Sequence, residues 1–151
     1  RNWRDRGWGA VEAMTTATSI TRAHQILLKR IDTALSPFGL VFSRFEALAL
    51  LSFTQTGAMP LARIGERLQV HPASVTNTID RLEADKLVVR IPHPTDRRTT
   101  LAEITPTGRL LAADAADALA KMEYGLDGMG ADNLTAVDNS LRLLRADAGD
   151  F

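Results

Sequence analysis

Apolar residues recur every three to four positions along much of this chain, which is the spacing of one face of an α-helix. The first such stripe runs between Met14 and Ser36 and stops before Pro37 and Gly39. Its members are Ile20, Ala23, Leu27, Ile31 and Leu35. The pattern predicts a long first helix with one apolar side.

Two shorter helices are predicted next. Ser43 and Glu46 have the spacing of a capping box, in which each side chain accepts a hydrogen bond from the other residue's backbone N–H. They would open a second helix through FEALALLSF, which is apolar on nearly every side and therefore predicted to be buried. After Gly57, Pro60 suits the first turn of a third helix. The apolar face of that helix holds Leu61, Ile64 and Leu68.

The fourth predicted helix lies in LQVHPASVTNTIDRLEADKL and begins near Pro72. Its inward face holds Val75, Ile79 and Leu82. At about 100° per residue, the opposite face presents Ala73, Ser74, Thr76, Asn77, Asp80 and Arg81. Ser, Thr and Asn are mediocre helix formers, so solubility alone does not explain this face. A small and polar face favours close approach to another surface.

Two β-branched segments, KLVVRIP and TTLAEIT, follow and are separated by HPTDRR. They predict a β-hairpin whose exposed loop carries Asp96, Arg97 and Arg98. Taken alone, the two arginines are most simply a solvated hairpin tip. Asp96 is expected to accept hydrogen bonds from Arg98 and so to fix the direction of its guanidinium. Asp80 on the preceding helix is expected to orient Arg81 or a neighbouring loop, or to set specificity by repulsion.

The order of the predicted elements is that of a winged helix-turn-helix. A helix fits the major groove of DNA, where small polar side chains let the backbone approach the base edges. The hairpin arginines would enter the adjacent minor groove, whose narrow A·T-rich stretches attract Arg. The sequence therefore predicts a mainly α fold with a small β-hairpin wing, and double-stranded DNA as a partner.

The last third of the chain predicts two further helices. Thr105 can cap and Pro106 can start a fifth helix in TPTGRLLAADAADALAKMEY, which ends before the glycine-punctuated break GLDGMGADN. A sixth helix carries the stripe Leu134, Val137, Leu141 and Leu144. Because the first, fifth and sixth helices all bear apolar stripes outside the winged part, we predict a twofold homodimer that buries them. Its two recognition helices would read a palindromic operator with half-sites roughly 34 Å apart.

The segment LARIGERLQVHPASVTNTIDRLEADKLVVRIPHPTDRRTTLAEITPTG resembles the MarR family of bacterial transcriptional regulators. The resemblance rests on Leu82-Glu83, the LVVR strand, the Asp96-Arg97-Arg98 wing and ITPTG. It implies a homodimer, two symmetric winged domains on DNA, and frequently release by a small ligand. In this chain Lys86 stands where the family usually has Gly, so either a non-glycine residue adopts a left-handed cap or the helix ends differently. His71 occupies the usual Ser-like cap position.

We therefore expect one MarR-like domain over residues 1–151. Residues 43–105 would be its DNA-binding part, and residues 10–38 and 106–147 its dimerisation helices. The recognition helix would contact DNA through Pro72, Ala73, Ser74, Thr76, Asn77 and Arg81, and the wing through Asp96, Arg97 and Arg98. We expect a repressor that a small apolar or aromatic ligand releases from DNA, with the ligand in a crevice between the dimer helices and the winged part. The alternative is a winged-helix module that binds a protein and not DNA.

Charge and composition narrow the classes of function. The formal net charge is zero, but residues 63–109 carry eight basic and six acidic side chains, whereas residues 110–151 carry three and eight. With no cysteine, disulfides and thiolate metal sites are excluded. No apolar run approaches the roughly 18–20 residues that span a bilayer, and the first residues lack the apolar core of a signal peptide. We expect a cytoplasmic protein with no membrane partner.

No group of residues in the sequence points to catalysis or to a bound metal. The chain lacks both a G-x-S-x-G motif and a glycine loop for phosphates, so we do not expect an enzyme. His24, His71 and His93 share no metal-ligand spacing, and we expect no metal and no cofactor. His24 is a candidate for the effector pocket or the dimer interface, although burial in the core is the simpler interpretation.

An N-terminal arm is a further possibility. Trp3 and Trp8, with Arg1, Arg4 and Arg6, could pack on a partner subunit or contact DNA. A poorly ordered terminus is the simpler interpretation.

Overall fold

The six helices and two hairpin strands predicted from the sequence follow one another in the predicted order, in a computed structural model that describes residues 2–150. The helices are α1 (Asn2–Asp5), α2 (Val11–Leu35), α3 (Phe42–Ser52), α4 (Leu61–Leu68), α5 (Pro72–Ala84), α6 (Pro106–Lys121) and α7 (Ala131–Asp147). The strands are β1 (Ala58–Pro60), β2 (Val88–Pro92) and β3 (Thr100–Ile104). Of these elements, α1 and β1 are additional to the prediction. Short 3₁₀ turns lie at Ser36–Phe38 and Glu123–Gly125. The prediction of a mainly helical chain with a small β wing is confirmed.

The sheet holds one strand that the sequence did not predict. β3 lies in the middle, with β2 antiparallel on one side and β1 antiparallel on the other. Val88 pairs with Ile104 at the base of the hairpin, and Ala58 pairs with Glu103 across the second edge. β1 is only three residues long and ends at Pro60, too short for alternation to reveal it.

The core lies where α3, α4, α5 and the sheet meet the C-terminal part of α2 and the inner face of α6. The predicted inward faces of the short helices are confirmed, since Leu48, Ile64, Val75, Ile79 and Leu82 are all buried. Burying one such side chain contributes about 1.5–3 kcal/mol. This core fixes the orientation of α5 and leaves its polar face outward.

The predicted capping box at the start of α3 is wrong. The helix begins at Phe42, so Ser43 lies inside its first turn and makes no cap hydrogen bond. The orphan N–H of Phe42 donates instead to Oδ1 of Asp32 on α2, at 2.7 Å. A side chain from another helix therefore caps α3 and leaves Glu46 without that role.

The start of α6 follows the prediction and its end does not. Thr105 Oγ1 accepts from the N–H of Gly108 at 3.0 Å, and Pro106 is the first helical residue. Gly108 lies so close to the carbonyl oxygen of Leu87 that a Cβ there would overlap it. The helix ends at Lys121, before the predicted MEY, because Met122 is its C-cap and Glu123 and Tyr124 then adopt left-handed φ of 49° and 54°.

Lys86 takes the left-handed position at the end of the recognition helix. α5 ends at Ala84, Asp85 is its C-cap, and Lys86 has φ of 61°. Of the two alternatives open for this position, the non-glycine left-handed cap is the one adopted. This conformation costs a residue with a Cβ about 1–2 kcal/mol.

The terminal apolar stripes are only partly covered within one chain. On α2, Ile31 and Leu35 are buried, whereas Ile20 is 38% exposed. On α7 no residue is buried, and Val137 and Leu144 are 44% and 58% exposed. The N-terminal part of α2 and the helix α7 thus present apolar surface that the described chain does not bury.

The N-terminal residues form a small aromatic cluster. The Trp3 and Trp8 rings meet edge to face, 4.7 Å between centroids, and the Arg6 guanidinium lies 5.8 Å from the Trp8 ring centre. Arg1, the other end of the predicted arm, lies outside the described residues. Over residues 2–150 no single helix is long and apolar enough to cross a membrane; Val11–Phe38 and Phe42–Ser52 pass only together, across a 71° bend.

Candidate nucleic-acid interface

The polar face of α5 is open to solvent along its length. Pro72 starts the helix, and Nδ1 of His71 caps it by accepting from the N–H of Ala73 at 3.1 Å. The preceding turn is tight, because Gln69 is left-handed and Gly65 lies against Val75. With the apolar face buried, the outward set is exposed, namely Ala73, Ser74, Thr76, Asn77, Asp80 and Arg81.

The wing loop is ordered by its own carboxylate. Asp96 Oδ1 accepts from the backbone N–H of Arg98 at 2.9 Å, and Oδ2 accepts from the hydroxyl of Thr99 at 2.7 Å. These bonds, that of Thr99 first, hold the pKa of Asp96 below its usual value. Asp96 thus fixes the backbone of the loop, and the expected bond to the Arg98 guanidinium is not made. The loop is further closed by Nδ1 of His93, which accepts from the N–H of Asp96 at 3.1 Å.

Arg90 on β2 ties the wing to the recognition helix. Its Nη2 donates to Asp80 Oδ1 at 2.6 Å and its Nη1 to Glu83 Oε2 at 2.5 Å. Its backbone N–H also donates to Glu83 Oε1 at 3.1 Å. Partial burial by itself would lower the pKa of Arg90, but the hydrogen bonds that its guanidinium donates to Asp80 and Glu83 outweigh this effect and raise that pKa.

We call the contacts of Arg90 with Asp80 and Glu83 the clamp. The clamp gives Asp80 a structural role and so explains why a carboxylate lies on the recognition face. Asp80 makes no hydrogen bond or ion pair with Arg81 in the described chain; it accepts from the Arg90 guanidinium on the neighbouring strand. Sequence reasoning missed Arg90. The available signal was the i, i+3 spacing of Asp80 and Glu83, which places two carboxylates on one side of the helix.

The arginines predicted to contact DNA are available for binding. Arg81, Arg97 and Arg98 are exposed, and none of them forms an ion pair within residues 2–150. The clamp holds the strand that leads to the wing loop against the helix that carries Arg81. The arrangement can offer hydrogen-bond donors to phosphates and base edges without first breaking internal ion pairs.

A crevice of about 540 Å³ opens between α3 and α6. Its walls are largely aromatic and alanine side chains, and Glu46, Arg109 and Tyr124 also line it. Burial raises the pKa of Glu46. His24 is exposed on α2 and does not line this crevice, so the simpler interpretation of a buried core residue does not hold within the described chain. Its place in an effector pocket or at a dimer interface stays a prediction.

A second concave surface lies between the exposed parts of α2 and α7. It is lined by small and apolar side chains, among them Ala17, Ile20, Val137, Leu141 and Leu144. We call this surface the terminal groove. Across residues 2–150, no three His, Asp or Glu side chains come together in a way that could hold a metal ion.

Comparisons with known proteins agree with this geometry. The model of the MarR family matches residues 42–100. The HTH-type transcriptional regulator MhqR of Bacillus subtilis (strain 168) is 34% identical over 89 residues, which cover 59% of this chain and 60% of MhqR. The match thus spans less than two thirds of that curated relative.

Solved structures match over nearly the whole chain. Sco5413, a MarR family transcriptional regulator from Streptomyces coelicolor, is 46% identical with a TM-score of 0.87, over 94% of this chain and 99% of that one. CouR from Rhodococcus jostii RHA1, bound to p-coumaroyl-CoA, is 25% identical with a TM-score of 0.73, over 88% and 91%.

Proposed function

This chain belongs to the MarR family of DNA-binding transcriptional regulators, and we propose that it works as a homodimeric repressor released from its operator by a small ligand. Residues 43–105 form the DNA-binding part in this proposal. Residues 10–38 and 106–147 form the dimerisation helices. Its relatives are transcriptional regulators and not enzymes.

The observation that carries the DNA contacts is the exposed polar face of α5, joined through Arg90 to a wing with two free arginines. Asn pairs well with adenine and Arg with guanine in the major groove. An exposed Arg at a hairpin tip suits a narrow minor groove. The proposed contacts are made by Pro72, Ala73, Ser74, Thr76, Asn77 and Arg81 on α5, and by Arg97 and Arg98 in a wing loop that Asp96 orders.

The dimer proposal rests on the terminal groove. Exposed apolar surface on two adjacent helices is unfavourable in water unless another surface covers it. A twofold axis through this region would set two copies of α5 on one side of the dimer. Palindromic operators match that symmetry.

Release by a ligand is supported by the position of the crevice. Its walls come from α3 of the winged part and from α6 of the proposed dimerisation part. A ligand that binds better when these helices are differently spaced would shift the dimer away from its DNA-binding arrangement. Couplings of this kind are typically 1–3 kcal/mol.

Selection of DNA by the purified protein tests the proposal. A random duplex library would yield a palindromic site, and binding to it by fluorescence anisotropy should weaken by orders of magnitude between about 50 and 200 mM salt. A response that is flat with salt, or no selected site, would instead support a winged-helix module that binds a protein.

Two substitutions test the site itself. Arg98→Ala should weaken binding on the order of tenfold, and Asn77→Ala should cost roughly 1–3 kcal/mol and relax base preference at one position in each half-site. Arg22→Ala, an exposed cation on α2, is the matched control and should bind as the parent does. Unchanged affinity in both test variants would remove the site assignment.

A further inference from the structure

Glu46 is the one carboxylate that lines the crevice between α3 and α6 in the described chain. Its side chain is partly buried and makes no hydrogen bond or ion pair with any residue from 2 to 150. The capping role that the sequence predicted for it is absent, because Asp32 caps the helix. The carboxyl oxygens keep contact with solvent, since no fully buried side-chain N or O atom among the described residues lacks a hydrogen-bond partner. They can therefore accept a hydrogen bond from a ligand that enters the crevice.

The rest of the crevice is shaped for a flat apolar group. Phe42 and Phe45 stack at 6.4 Å between centroids with 18° between their planes, and both line it. The facing wall is α6, which contributes Ala112, Ala113 and Ala116 and so leaves room opposite the rings. A space of about 540 Å³ accepts a ligand of one or two aromatic rings.

The other charged group lies elsewhere along the crevice. Arg109 is exposed, and its guanidinium lies against Gly57, where an added Cβ would overlap Nη2. Gly57 follows the C-terminal end of α3, whereas Glu46 lies in the first half of that helix. At 1.5 Å of rise per residue, the end of α3 is roughly 9 Å beyond Glu46. Arg109 therefore leaves Glu46 without a counter-ion.

We propose that the crevice selects aromatic ligands that carry a hydrogen-bond donor, a phenol or an aromatic amine, and that Glu46 accepts this bond. The inference rests on the proposed effector role of the crevice. A donor supplies the partner that Glu46 lacks, whereas an aromatic carboxylate at the same place would meet a like charge. Glu46 is thus a specificity-determining residue that distinguishes phenols and amines from aromatic acids.

The same side chain also reaches toward the recognition helix. Glu46 and Leu68 line both the crevice and a smaller cavity, of about 330 Å³, beneath α5. Ser74 and Asn77 line that second cavity. Glu46 therefore lies between the crevice and two of the residues proposed to contact DNA.

Titration calorimetry with three naphthalene probes tests the selectivity. Near neutral pH, 2-naphthol offers a donor, 2-methoxynaphthalene offers none, and 2-naphthoate is an anion. We expect 2-naphthol to bind the parent protein on the order of tenfold more tightly than either of the others. Equal affinities, tightest binding by 2-naphthoate, or no binding by any probe would overturn the proposal.

Substitutions assign the selectivity to Glu46. Glu46→Leu should bind 2-naphthol and its methyl ether equally, and Glu46→Gln should no longer disfavour 2-naphthoate. Glu66→Gln, an exposed carboxylate on α4, should keep the parent's preference. Circular dichroism checks that each variant is folded, and a preference unchanged in a folded Glu46→Leu would refute the assignment.

Anisotropy on the selected duplex separates this proposal from the previous one. DNA binding by the parent protein with no preference for 2-naphthol would overturn the role of Glu46 alone. Binding of 2-naphthol with the expected preference, without any DNA binding, would overturn the proposed function and leave the crevice assignment standing.

Discussion

At the scale of single residues, Asp96 shows how a negative charge can serve a surface meant for phosphate. Its two oxygens are both occupied by donors of the loop, Thr99 and the backbone of Arg98. Its pKa is held below the usual 3.8, so the loop contacts are complete above that value and are lost only as pH falls through the lower folded pKa. At neutral pH the ionised carboxylate orders the loop, and both of its oxygens accept hydrogen bonds from loop donors.

Replacing Asp96 tests whether loop order or charge matters. Asp96→Ala removes both acceptors, and we expect DNA affinity to fall on the order of tenfold, because the loop loses the hydrogen bonds that order it. Asp96→Asn keeps an acceptor for the N–H of Arg98 and should restore most of the loss. Anisotropy on the selected duplex measures both, and equal affinity of the alanine and asparagine variants would show that the hydrogen bond is irrelevant.

Glu46 leads to a prediction about stability and pH. Because burial raises its folded pKa above 4.5, the unfolded chain ionises first as pH rises, and folding loses free energy between 4.5 and the higher folded pKa. Below 4.5 both states are protonated and this penalty vanishes. Glu46→Gln should therefore be more stable than the parent at neutral pH and equal to it in acid.

Urea unfolding at about pH 7 and pH 4 measures this difference. Comparing variant with parent at each pH cancels the titration of all other groups, including Arg109 and Tyr124, which line the same crevice. Glu66→Gln is the control and should show no such change. A gain of the same size at both pH values would mean that packing, and not desolvation, separates the two proteins.

At the scale of elements, the sequence predicted the helix starts that depend only on neighbouring residues. Pro72 and Thr105 start their helices as expected, because a first-turn proline and a side-chain cap need no distant partner. The capping box failed at α3 because Asp32, ten residues earlier, supplies the acceptor through tertiary packing. β1 was missed because pairing with β3, and not its own pattern, defines it.

Residues of the candidate site were likewise predictable where local geometry determines their place, and were missed where tertiary packing does. The exposed face of α5 follows from helical geometry, so its residues were predictable one by one. Arg90 was not, because its role depends on β2 lying beside α5. The partnerless state of Glu46 likewise follows only from the packing of α3 against α6.

The clamp between these elements can be tested directly. Arg90→Met keeps the length of the side chain but frees Asp80 and Glu83, which would then repel phosphate beside an unanchored wing. We expect DNA affinity to fall about tenfold or more, with a stability loss of only about 1 kcal/mol for partly exposed pairs. Arg90→Lys should be intermediate, since lysine cannot bridge both carboxylates as a planar fork.

Anisotropy and urea unfolding together decide this prediction. Arg44→Met, which removes the Arg44–Asp85 contact of 3.5 Å at the C-cap of α5, is the control for losing an ion pair outside the wing. If Arg90→Met bound DNA like the parent, or lost stability in proportion to affinity, the clamp would have no specific role in positioning the wing.

At the scale of the whole molecule, charge and apolar surface separate into two regions. The residues after 109 carry eight acidic and three basic side chains, so α7 and most of α6 do not favour phosphate. The same region bears the terminal groove and no buried residue on α7. A twofold dimer that covers the groove would place acidic surface away from DNA and both copies of α5 toward it.

Leu144→Glu tests this arrangement, and Leu143 provides a neighbouring control. Leu144 lines the terminal groove, whereas Leu143 on the same helix is 76% exposed and outside it. A carboxylate buried without a partner costs several kcal/mol, so Leu144→Glu should shift sedimentation equilibrium to the monomer while Leu143→Glu stays dimeric.

The monomer should bind the palindromic duplex more weakly than the parent by orders of magnitude, because it cannot engage both half-sites at once. It should bind a duplex with a single half-site as tightly as the parent does. A dimeric Leu144→Glu, or equal dissociation of both variants, would place the dimer interface elsewhere and remove the link between the terminal groove and the spacing of the two recognition helices.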